Sequence, residues 1–144
     1  MYLFDEPVSA QMQELPLADL LRFFPFGYLL TILIETPVLL AGLPAKLSLK
    51  QKLLCGVWLT ACTYPIVVLV LPAVFFGAPR WQYLTAAETF APAAECVLFW
   101  LAFRQGPEIT GPEWVRSFAA IIIANLASFG MGEILNHYGW FGLF

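Results

Sequence analysis

The chain has 144 residues, 60% of them hydrophobic and 12% charged, with a formal net charge of −3; soluble domains carry about 25% charged residues. At a mean hydropathy of +0.78, a chain this short cannot hide its apolar side chains in a soluble core, so it reads as an all-α, polytopic membrane protein of one domain. The acidic balance and the lack of interleaved basic and aromatic residues argue against nucleic acid as a partner.

Residues 1–23 form a mixed N-terminal segment. QELPLADLLRFF starts like an amphipathic helix, with Pro16 near its first turn, that would rest on the membrane surface or else serve as an ordinary terminus. No cleavable signal peptide is expected, because acidic Asp5, Glu6, Glu14 and Asp19 precede the first apolar run. A four-helix transmembrane domain then covers 24–144. Its apolar runs lie at about 24–44, 53–77, 82–103 and 114–136, each near the ~20 residues that cross a ~30 Å hydrocarbon layer. Pro37, Pro65, Pro72 and Pro92 fall inside these runs, and in lipid they predict bent helices rather than broken ones.

The connections are short, so successive helices should be antiparallel. Lys46, Lys50, Lys52, Arg104 and Arg116 collect at one side of the layer, with Arg22 and Arg80 at the other. This bias puts the first and third connections in the cytoplasm and both termini on the non-cytoplasmic side of an inner membrane. Trp81, Tyr83, Tyr138 and Trp140 fit an outer interfacial belt, and His137 reads as interfacial too.

A short internal repeat is visible. Glu-Thr-Pro at 35–37 is echoed by Glu-Thr-x-x-Pro at 88–92, followed by Glu95. Thr60 and Thr63 on the second helix are echoed by Asn125 and Ser128 on the fourth. Each half thus reads as an acidic, proline-bent helix followed by one with two polar residues three apart, which is a parallel repeat of helical hairpins.

The polar residues within the hydrocarbon carry the chemistry. Glu35 and Glu95 lie near the centres of their helices, and Asn125, Thr60 and Thr63 at similar depth. Glu88, seven residues before Glu95, shares its face roughly 10 Å towards the outer surface. Glu133 lies towards the outer end of the last helix. Acidic residues at a helix centre cost on the order of 3 kcal/mol each, which leucine-rich helices can offset but which calls for a reason. No Lys or Arg occupies a helix centre, so the carboxyls are expected to lack a cation from their own chain. They must be protonated, bind a cation, face water, or meet a partner's positive group.

These residues predict a small membrane protein that binds or translocates a proton or cation through Glu35, Glu95, Glu88, Glu133, Asn125, Thr60 and Thr63. Four helices are few for a complete pathway, which implies a homo-oligomer or other membrane subunits. An alternative is an accessory subunit of a larger complex whose glutamates contact a partner. A third is an intramembrane hydrolase using two carboxyls, against which stands the absence of HExxH and GxSxG motifs. Asn125 and Ser128 also suit hydrogen-bonding glue, and Ser128 with Gly132 forms a small-xxx-small pair. No cofactor is identifiable, although a bound cation is compatible. The single histidine excludes a bis-histidine haem or a three-histidine metal site within one chain. Cys55, Cys62 and Cys96 have no metal spacing and read as small apolar residues.

Overall fold

The computed structural model describes residues 17–139, with side chains from 21 onward. Most of the 1–23 segment therefore lies outside the described residues. Within them the protein is an all-α bundle of four helices, each long and apolar enough to cross a membrane. These are α1 (Leu17–Gly42), α2 (Leu49–Val74), α3 (Arg80–Phe103) and α4 (Gly111–His137). A multi-pass membrane protein follows from their lengths and from the many leucine, isoleucine and valine side chains, such as Leu33, Val97 and Ile123, that face outward.

The helices begin ahead of the apolar runs for local reasons. Ser48 and Gln51 form a capping box at the start of α2, and Thr110 and Glu113 form another at the start of α4. Each box satisfies amide donors that a helix start leaves open. At the other end, basic side chains take up the last carbonyls of α1. Lys52 Nζ donates to Leu40 O and Leu43 O, and Arg116 to Ala41 O at 2.7 Å. Lys46 bridges Glu113 at 3.0 Å and the Glu108 carbonyl at 2.7 Å. The basic cluster thus stitches one end of the bundle together.

Pro25, Pro37 and Pro92 sit inside continuous helices. Pro65 instead closes the first part of α2, and a π-turn follows over Ile66–Val70 before the helix resumes at Leu71–Val74. The Leu71 N–H reaches back to Ile66 O. Pro72 has no N–H to offer the next carbonyl in that pattern, and the Tyr83 hydroxyl donates to Val67 O instead, at 3.2 Å. The α2–α3 connection turns through Gly77, whose φ of +81° is left-handed backbone that favours glycine.

The helices form a ring in which α1 and α3 each pack between α2 and α4. Small residues let them close in. A Cβ on Gly42 would collide with Ala120 of α4, and one on Gly56 with Thr36 of α1. The half of the bundle nearer the basic end is a buried apolar plug of Leu39, Leu43, Leu47, Cys55, Leu59, Phe99, Ile121 and Ala124. Phe103, Trp114 and Phe118 pack against it. Cys55 belongs to this plug, and all three cysteines are free thiols.

Candidate functional site

The plug ends one turn away from the central carboxyls. Leu39 follows Glu35, Phe99 follows Glu95, Leu59 precedes Thr60 and Ala124 precedes Asn125. Beyond this layer the bundle opens into a cavity of about 300 Å³. Glu35, Glu95, Thr60, Thr63 and Asn125 line it together with Glu88 and Glu133. All seven residues that the sequence singled out therefore share one space inside a single chain.

Glu35 and Glu95 are 2% exposed, although each is a carboxyl in the centre of an apolar bundle. Their oxygens are fully engaged. Glu35 Oε2 lies 2.8 Å from Thr60 Oγ1 on α2, and Oε1 lies 2.7 Å from Ser128 Oγ on α4. Glu95 Oε1 lies 2.7 Å from Thr63 Oγ1 on α2, and Oε2 accepts from Asn125 Nδ2 on α4 at 2.8 Å. Each of the four helix interfaces in the ring is thus crossed by one hydrogen bond to a glutamate.

The pattern is two-fold. Glu35 takes the first polar residue of α2 and the second of α4, while Glu95 takes the second of α2 and the first of α4. The structural equivalent of Glu35 is therefore Glu95, not the Glu88 suggested by the Glu-Thr-Pro likeness. The pairing of Thr60 and Thr63 with Asn125 and Ser128 stands as the sequence has it.

The hydroxyls have second partners. Thr60 Oγ1 lies 2.8 Å from Gly56 O, Thr63 Oγ1 lies 3.2 Å from Leu59 O, and Ser128 Oγ lies 3.0 Å from Asn125 O. A hydroxyl owns one hydrogen but can also accept. Each of these three can therefore donate to its carboxyl, or turn to its helix carbonyl and accept a hydrogen bond from the protonated carboxyl. Asn125 lacks this freedom. One of its amide hydrogens goes to Glu95 and the other to Ile121 O at 3.0 Å.

At the end of the cavity away from the plug, Arg80 is buried and pairs with Glu133 at 2.7 Å. The expectation that every intramembrane carboxyl lacks a cation of its own chain fails here. Arg80 opens α3 and reaches across to the last turns of α4, a pairing over a separation of 53 residues that spacing cannot reveal. Glu88 is half-buried, lines the same cavity and makes no hydrogen bond with a described residue. Phe23, Tyr64, Tyr83 and Phe129 also line it. Gly27 leaves room for the Tyr64 hydroxyl, which a Cβ there would strike. His137 is exposed at the end of α4, its ring against Tyr138. Among the described residues, no group of three or more His, Cys, Asp or Glu side chains is placed to hold a metal ion.

Ser128, Arg80, Tyr64 and Tyr83 are site-lining residues that sequence reasoning left out. Ser128 reads from the sequence as hydrogen-bonding glue and as part of the repeat that matches its spacing from Asn125 to that of Thr63 from Thr60, but not as a member of the site. The tyrosines carried no signal beyond their aromatic character. The chain matches no protein-family model, no curated protein and no solved structure, so the geometry alone carries the functional reading.

Proposed function

We propose that this membrane protein binds and exchanges protons at Glu35 and Glu95, reached through the cavity from the end that carries Arg80, as part of proton-linked cation transport. The observation that carries this reading is the set of three two-way hydroxyls. Gain or loss of a proton at either carboxyl needs only the rotation of a Thr or Ser O–H bond, with no helix displaced and no buried group left unpaired. Ionised carboxyls at this depth would be costly, and among the described residues no cationic side chain touches Glu35 or Glu95. Both therefore hold protons while the cavity is empty. Asn125 fixes where: Glu95 Oε2 must accept, so the proton sits on Oε1, facing Thr63.

The basic end of the bundle, closed by the apolar plug, suits the cytoplasmic side, and the open cavity then faces outward. Transport would require the plug of Leu39, Leu59, Phe99 and Ile121 to part. The glutamates point into their own bundle, which favours an internal site over contact with a partner's cation. One chain encloses the whole cluster, so assembly into a homo-oligomer is not needed to complete it.

Infrared titration of the ligand-free protein in nanodiscs tests the reading. A protonated-carboxyl stretch should be present at neutral pH and decline as pH rises. Glu35→Gln and Glu95→Gln should each remove part of it, and the double variant most of it. A band that is absent at neutral pH, or unchanged in the double variant, would overturn the assignment.

A further inference from the structure

We propose that the cavity between Glu88 and the two central carboxyls binds a small organic cation with an apolar or aromatic body, of the primary or quaternary ammonium class. This names the cargo of the site just described and rests on the reading that Glu35 and Glu95 exchange protons.

Size comes first. About 300 Å³ is at the small end of ligand cavities and is an order of magnitude above the ~30 Å³ share of one water. Charge comes next. Among the described residues Arg80 is the one cationic side chain lining the cavity, and it is already held by Glu133 at 2.7 Å. Each oxygen of Glu35 and Glu95 already has a side-chain partner, whereas Glu88 makes no hydrogen bond with a described residue and is the carboxylate this proposal assigns to a newcomer. An anion would meet this carboxylate with no free counter-charge. A bare divalent ion would find no three-ligand set among the described residues.

The walls then select for an organic body. Aromatic faces attract a cation that is weakly hydrated, and a carboxylate fixes its charge. Phe23, Tyr64, Tyr83 and Phe129 line the same cavity as Glu88. A strongly hydrated inorganic ion gains little from such walls. A compact ammonium with an apolar flank gains on both counts, and entering next to the carboxyl layer it favours loss of a proton from Glu35 or Glu95.

Titrating benzyltrimethylammonium chloride into the purified full chain in detergent, by calorimetry, tests this. Sodium chloride and magnesium chloride at equal ionic strength serve as controls. Saturable binding is expected for the organic cation alone. Because proton and cation compete, affinity should rise with pH, and binding in weakly buffered solution should release protons. Glu88→Gln should weaken binding at least tenfold. Ala91→Phe, which fills the cavity and leaves every carboxyl in the sequence, should abolish it. Glu108→Gln, an exposed carboxyl outside the cavity, should leave it unchanged. Absence of saturable binding to wild-type protein, equal affinity in Glu88→Gln, or equal heats from magnesium would each overturn the proposal. The infrared titration needs no ligand, so a normal carboxyl band beside a failed calorimetric titration removes the cargo and spares the proton site.

Discussion

Replacing Glu95 with Gln exchanges a titratable group for a neutral one of nearly the same shape, and the hydrogen bonds decide the outcome. The amide oxygen takes the place of Oε2 and accepts from Asn125 Nδ2. The amide nitrogen takes the place of Oε1 and donates to Thr63 Oγ1, whose own hydrogen turns to Leu59 O. Both interhelical bonds are kept and only the second amide hydrogen lacks a named partner, so the fold should not be stabilised and should lose no more than about 1–3 kcal/mol, the scale of one unpaired buried donor. If Glu95 were instead ionised at neutral pH, the substitution would remove an uncompensated buried charge and stabilise the fold by several kcal/mol. Glu95→Leu gives the scale. It removes two interhelical bonds at about 0.6–2 kcal/mol each in membranes, so a loss of about 1–4 kcal/mol is expected. Equilibrium unfolding in mixed micelles at neutral pH measures all three. A Glu95→Gln protein more stable than wild type by more than about 2 kcal/mol would refute the protonated resting state.

The ion pair and the close helix contacts give two further tests. Arg80→Met should cost about 2–4 kcal/mol, because it strands Glu133 in the cavity mouth, and adding Glu133→Leu should recover most of the loss; additive losses in thermal unfolding would show that the two side chains do not depend on each other. Gly42→Ala should cost about 1–3 kcal/mol by driving α1 off Ala120. Gly130→Ala, where a Cβ meets nothing within 4 Å, should instead stabilise by up to about 1 kcal/mol through helix propensity. Equal effects at the two glycines would contradict the tight α1–α4 crossing.

The four spans were legible because apolar run length is a direct demand of the bilayer. Their starts were less so, although Ser48-x-x-Gln51 and Thr110-x-x-Glu113 are readable capping boxes that place helix starts outside the hydrocarbon. The central layer was legible through depth: Glu35, Glu95, Thr60, Thr63 and Asn125 sit at matching heights on antiparallel helices, and a bundle of four brings such residues together. What depth cannot give is azimuth. Arg80 counts as an interfacial charge by its position, yet it turns inward to Glu133. Glu88 resembles Glu35 by its neighbours, but Glu95 occupies the equivalent place.

The same two-fold layout contains one asymmetry with chemical consequences. Thr60 and Asn125 occupy matching positions, each beside the glutamate of its own hairpin. Thr60 is a hydroxyl that can give or accept; the Asn125 amide nitrogen can only give. Glu35 therefore has two oxygens that can carry a proton, one facing Thr60 and one facing Ser128, whereas Glu95 has one. A proton on Glu35 can leave towards either α2 or α4, and a proton on Glu95 only towards α2. Both routes converge on the α2 face that carries Thr60 and Thr63, just before the Pro65 break and the π-turn. The segment of the bundle with the least regular backbone thus adjoins two hydroxyls, Thr60 for Glu35 and Thr63 for Glu95, and on the proposed function a shift of α2 at Pro65 would alter the proton affinity of the two sites together.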